Sequence, residues 1–138
     1  MKILVAVDGS KPSVKVVQQL IEHSDWYRER PEVELVTVHL PVPKVARMPK
    51  GQLDKYYAEE GEGMLAAAKK KLDAAGVPYR ARILVGPIAE SLVKHAKDQR
   101  CDIIYIGTRG MSELGAALVG STATKVLHIS EIPVLLVK

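Results

Sequence analysis

Five short strand-like runs, each separated from the next by a stretch of helical periodicity, leave few folds open to this chain. The runs are Ile3–Val7, Val33–Leu40, Tyr79–Val85, Asp102–Ile106 and Ile132–Lys138. Ile3–Val7 is apolar at every position, as in a strand buried on both faces. Between the runs, helices are expected over about Pro12 to His23, Leu53 to Ala75, Gly86-Pro87 to Gln99, and Ser121 to Ile129. Val14, Val17, Leu20 and Ile21 stripe the first helix, and Ile88, Leu92, Val93 and Ala96 stripe the third. Ser10 and Pro12 suit an N-cap and an early helical position, and Gly76 suits the residue just past a helix end. Gly61 and Gly63 weaken the first half of the second helix, so a late start or a bend is expected there. Strands alternating with helices read as an α/β fold, an open five-stranded parallel sheet with helices on both faces.

At 138 residues the chain reads as one domain, long enough to bury a sizeable core without staples. Its one cysteine, Cys101, excludes an intrachain disulfide framework and reads as a small buried hydrophobe. No apolar run reaches the ~20 residues of a membrane span. Asp8 ends the first run too early for a signal peptide, so a cytoplasmic protein with no membrane insertion is expected. The net charge of +4 weakly favours anionic partners. A nucleic-acid partner is not expected, because Phe is absent and only Trp26 and five tyrosines could stack on bases. Lys69-Lys70-Lys71 reads as a solvated helix face.

In an open α/β sheet, ligands bind beyond the carboxyl ends of the strands. The first strand ends in Asp8-Gly9-Ser10 and the fourth in Gly107-Thr108-Arg109-Gly110. The latter opens the longer pattern Gly107-x2-Gly110-x9-Gly120-Ser121-Thr122. Glycines allow a backbone to approach a ligand closely or to take positive φ. Gly120-Ser121-Thr122 stands where the last helix should begin, which gathers free N–H groups, two hydroxyls and the positive dipole end. Arg109 adds a permanent cation. GAALVGST, residues 115–122, has the glycine spacing of a P-loop but places Ser121 where the lysine must be. No G-x-G-x-x-G dinucleotide fingerprint occurs. His23, His95 and His128 fall late in helices without metal-ligand spacing, and nothing resembles a nucleophile elbow.

Over essentially its whole length the chain resembles the universal stress protein family, and specifically its ATP-binding branch. The likeness rests on ILVAVDGS, LVTVHL, DIIYIGTRG, Gly120-Ser121-Thr122 and the closing IPVLLVK. It implies the adenine nucleotide alpha hydrolase-like fold with strand order 3-2-1-4-5, which brings Asp8 beside Gly107. It further implies that Ala6, Val7 and Asp8 flank an adenosine and that Leu40 offers backbone groups to the adenine. Ile106, Gly107 and Gly110 would line the ribose and phosphates, with Arg109 beside them, while Gly120, Ser121 and Thr122 would hold the phosphates. The implied ligand is ATP with Mg²⁺ or Mn²⁺, and the implied assembly is a homodimer through the last strand, an apolar edge in that order.

Asp8 also suits a plainer role, capping the turn before the first helix, and His39 suits either a packed side chain or one near the adenine. A nucleotide-dependent regulatory protein of the stress response is the expected function, with no assigned catalytic residue and no named protein partner. Two other classes stay open. One is a weak ATPase or an autophosphorylating enzyme using Ser121 or Thr122. The other is a dimeric interaction module that needs no nucleotide. The proline-rich stretch Pro41–Gln52, with Lys44, Arg47 and Lys50, is expected to order over bound phosphates and so to slow its hydrogen exchange.

Overall fold

The structure, a computed structural model, describes residues 1–43, 48–109 and 119–138. Along the chain run β1 (Lys2–Ala6), α1 (Lys11–Glu22), β2 (Glu32–His39), α2 (Lys50–Ala74), β3 (Tyr79–Val85), α3 (Ile88–Asp98), β4 (Ile103–Gly107), α4 (Ser121–Ile129) and β5 (Val134–Val137). The strands form one sheet in the order β3-β2-β1-β4-β5, and every pair is parallel. Val5 of β1 stands level with Leu35 on one side and Tyr105 on the other.

Side chains alternate across a strand, so β1 and β2 feed two cores. Ile3, Val5 and Leu35 pack under Val16, Val17 and Leu20 of α1 and Leu65, Ala68 and Leu72 of α2. Leu4, Val36 and Ile104 pack under Ala89, Leu92 and Ala96 of α3 and Ala123 and Val126 of α4. Burial on both faces explains why the central strand β1 is almost continuously apolar, whereas the edge strand β3 alternates, with Arg80 and Arg82 exposed. With α1 and α2 on one face and α3 and α4 on the other, the winding reverses at β1. The crevice therefore opens between the carboxyl ends of β1 and β4.

Two helices depart from their sequence expectation. The buried side of α1 is Ser13, Val16, Val17 and Leu20, while Val14 and Ile21 are only partly covered. Ser13 turns inward because its hydroxyl has polar work there: it accepts from the Asp8 N–H at 3.1 Å and donates to the Ser10 carbonyl at 3.0 Å. α2 starts at Lys50 rather than late, and runs unbroken through both glycines. Gly61 is buried against β3, where a Cβ would overlap the Ile83 side chain, so contact with the sheet offsets its poor helix propensity. The irregular stretch after β2 thus ends at Pro49, with Gly51 and Gln52 helical. Lys44 and Arg47 lie outside the described residues. Other punctuation is as expected: Ser10 caps α1 by accepting from the Ser13 N–H, and Gly76 takes φ +66° past the end of α2.

The sequence pattern did not flag Glu34 as buried, yet this β2 residue is fully buried on the α3 side. Its Oε2 lies 3.2 Å from His95 Nε2 and its Oε1 3.6 Å from Lys2 Nζ. Cys101 is buried, as expected, and desolvation pushes its thiol up to about 11, with Lys2 acting in the opposite direction. Removing one partner of a buried polar pair strands the other. His95→Leu is therefore expected to cost about 1–3 kcal/mol in urea unfolding. Adding Glu34→Leu should recover most of that loss; a double variant no more stable than His95→Leu would show that the pair is not the cause.

Candidate functional site

At the end of β1 the chain turns sharply into α1. The Ser10 N–H and hydroxyl both donate to Asp8 Oδ1, at 2.9 and 2.5 Å, and Ser10 Oγ in turn accepts from the Ser13 N–H at 3.2 Å. The turn-capping role of Asp8 is thus realised, and the same residue also lines a cavity. Gly9 takes φ +84°, and a Cβ there would stand 3.1 Å from Met64 Cα. This glycine lets the turn close against α2.

The end of β4 is built on close approach of backbone to backbone. The Thr108 N–H donates to the Val137 carbonyl at 2.9 Å, and the Gly120 N–H donates to the Thr108 carbonyl at 2.5 Å. A Cβ on Gly107 would sit 3.2 Å from the Arg109 carbonyl oxygen, and one on Gly120 would sit 3.1 Å from that of Thr108. Neither glycine takes positive φ. They are needed for proximity, and the neighbour that Gly120 admits is the Thr108 carbonyl. Gly120 is the N-cap of α4 and contributes no side-chain hydrogen bond to its first turn. The leading N–H groups of that turn lack intrahelical partners, and the positive dipole end lies with them.

These two strand ends, the end of β2 and the start of α4 enclose a cavity of about 460 Å³. Ala6, Val7 and Asp8 line it from β1 and Leu40 from the end of β2. Ile106, Gly107 and Arg109 line it from β4, and Gly120, Ser121 and Thr122 from α4. Gly110 lies outside the described residues. His39 also lines the cavity; its Nδ1 is 2.6 Å from the Leu40 carbonyl oxygen, and its ring meets Tyr56 and Tyr57 edge-on. It is both a packed side chain and part of the wall.

Sequence reasoning missed several wall residues. Val38, Ile88 and Leu92 extend the apolar slot, and Thr108 and Ala123 stand beside the glycines. Glu60 and Met64 come from α2, and Met64 Sδ accepts from the Thr37 hydroxyl at 3.1 Å. Gly9, next to Asp8 in the sequence, was the one signal that another backbone approaches at that point.

The cavity combines an apolar slot, an acceptor at Asp8, and donors with positive potential at α4 and Arg109. A flat apolar ring with a polar edge and an anionic tail fits that division. No group of three His, Cys, Asp or Glu side chains able to hold a metal occurs among the described residues. A cation here would be held mainly by the oxygens of its own ligand, with Asp8 as the nearby carboxylate.

The sequence profile of the universal stress protein family matches residues 1–138. The universal stress protein YxiE of Bacillus subtilis is 29% identical, with 99% of this chain and 98% of that protein aligned. The universal stress protein MJ0531 of Methanocaldococcus jannaschii is 30% identical over 99% of this chain and 81% of its own length. Among solved structures, MJ0577 of the same archaeon superposes with a TM-score of 0.84 at 29% identity, covering 99% of this chain and 94% of that one. A universal stress protein in complex with cAMP superposes at 0.73, with 24% identity and coverage of 100% and 97%. An Arabidopsis thaliana family member with AMP bound superposes at 0.68, with 19% identity and coverage of 100% and 91%. The last two likenesses speak to the fold, whereas the full-length profile and the near-full-length relatives speak to descent: the chain belongs to the universal stress protein family.

Proposed function

We propose that this protein binds ATP in the cavity between β1 and β4, as a member of the ATP-binding branch of its family, and acts as a nucleotide-dependent regulator of the stress response in the cytoplasm. The observation that carries this is that an apolar slot, Ala6 and Ile106 with Val38 and Leu92, and the α4 N-terminus with Arg109 line the same cavity. Adenine suits the slot, and phosphates suit the donors. The cAMP and AMP in two structural neighbours support an adenine nucleotide as the ligand class. Mg²⁺ or Mn²⁺ would travel with the phosphates. It would screen their charge beside Asp8.

Regulation by binding is favoured over catalysis. Hydrolysis needs a group that positions and activates water. Of the two carboxylates in the described wall, Asp8 already accepts two hydrogen bonds from Ser10, and Glu60 comes from α2, across from the α4 donors. The homodimer through β5 belongs to the same proposal. Protein purified without added nucleotide is expected to release adenine nucleotide on denaturation, and labelled ATP is expected to come back intact from a single-turnover incubation. Rapid hydrolysis, or label transferred to Ser121 or Thr122, would instead make the protein an enzyme. A wholly nucleotide-free preparation that also fails to take up added ATP would leave the interaction module.

A further inference from the structure

A second concave surface lies away from the nucleotide cavity, in the seam between α1 and α2. It is a groove of about 310 Å³ lined by Gly9, Lys11, Val14, Lys15, Gln18, Ala67 and Lys71. Val14 and Ala67 give it apolar surface, and Lys11, Lys15 and Lys71 ring it with three exposed cations. No carboxylate belongs to the lining, and none of the three lysines forms an ion pair among the described residues. Lys71 donates to Gln18 Oε1 at 3.2 Å, while Glu22 accepts from the other end of the same amide at 2.7 Å.

The placement of these lysines costs α1 stability. Lys11 is the first residue of the helix, where the dipole disfavours a cation, and the first turn has no acidic residue to compensate. Lys15 follows four residues on, so the two like charges share one face. Of the run Lys69-Lys70-Lys71, read as a solvated face, Lys70 and Lys71 are exposed and Lys69 pairs with Glu62 at the surface; Lys71 is the member that lines the groove.

We infer that the α1–α2 groove is a docking surface for an acidic segment of a partner protein, with carboxylates meeting Lys11, Lys15 and Lys71 and an apolar side chain entering over Val14 and Ala67. Charge complementarity names the occupant. A negative segment relieves the Lys11–Lys15 repulsion and the unfavourable charge at the helix start in one step. The apolar floor favours a peptide over a nucleic acid, since no aromatic ring lines the groove for a base to stack on.

The probe is a labelled peptide about three helical turns long, with glutamates on one side and leucines on the other, followed by fluorescence anisotropy on the full chain. It should bind the wild type, and the same peptide with glutamine for glutamate should bind much less. Lys11→Glu/Lys15→Glu/Lys71→Glu should weaken binding by about tenfold or more, three rim ion pairs being lost. A circular dichroism melt confirms that the variant folds, an acid at position 11 suiting the start of α1. Arg28→Glu/Arg30→Glu/Lys97→Glu makes the same change in net charge elsewhere on the surface and should leave binding near the wild-type value. Several results would overturn the proposal: no binding by the wild type, equal loss in both triple variants, or a glutamine peptide that binds as well. Tighter, groove-dependent binding of a single-stranded oligonucleotide would likewise replace the peptide with a nucleic acid. The groove and the cavity share no lining residue, so the lysine variants leave the wall of the ATP site intact and the outcome is independent of it.

Discussion

Asp8→Ala is expected to weaken ATP binding by roughly 10- to 150-fold, the loss of about 1.5–3 kcal/mol from a hydrogen bond to a charged group. Two effects contribute to that number. The substitution removes an acceptor from the cavity wall, and it also removes the anchor for the Ser10 N–H and hydroxyl that shapes the turn into α1. Asp8→Asn separates them. An amide oxygen can still accept from Ser10, so its thermal stability should stay near wild type while its ATP affinity falls. Isothermal calorimetry and thermal melts on the two variants check this. If Asp8→Asn binds ATP as tightly as wild type, Asp8 serves the turn alone. Lys70→Ala, an exposed change on α2, should leave affinity unchanged.

The second large effect concerns assembly. Among the described residues β5 pairs with β4 on one side and with no strand on the other, an edge that can accept another strand. A C2 dimer would lay two β5 strands antiparallel across the axis. Light scattering at tens of micromolar should report a dimer, and Val134→Glu with Leu136→Glu should convert it to a monomer. Both side chains pack partly on the α3–α4 core but keep some exposure in the single chain. The carboxylates can therefore reach water in a monomer and would be desolvated in the dimer. A circular dichroism melt confirms that the variant still folds. A monomeric wild type, or a folded double variant that remains dimeric, would place the interface elsewhere or remove it.

Much of this architecture could be read from residues, and the exceptions have physical causes. Strands buried on both faces advertise themselves as unbroken apolar runs, and Ile3–Val7 is the clearest of them. The order of the strands left no mark on composition or spacing; it came from family resemblance, and the sheet has that order. The Gly107-x2-Gly110-x9-Gly120 spacing pointed to the end of β4, where Gly107 and Gly120 line the cavity. Neither takes positive φ; a Cβ on either would crowd a neighbouring backbone carbonyl, that of Arg109 or of Thr108. Glu60 and Met64 were invisible because the rotation of α2 about its axis depends on Gly61 packing against Ile83, a contact across 22 positions. Glu34 was hidden for a related reason. A charged residue inside a strand usually marks a solvated face, and only the tertiary approach of His95 and Lys2 makes its burial tolerable.

The measurement that bears most directly on ATP binding between β1 and β4 is calorimetric titration of wild type and Gly120→Val with ATP and Mg²⁺. A valine Cβ at position 120 would crowd the Thr108 carbonyl at 3.1 Å and shift the start of α4 away from the end of β4. The donors at Ser121 and Thr122 would then lose their register with Asp8 and Arg109. Wild type is expected to bind with a stoichiometry of one per chain, and Gly120→Val is expected to lose more affinity than Asp8→Ala while retaining its fold by circular dichroism. Wild type binding ATP no better than folded Gly120→Val would contradict the proposed site.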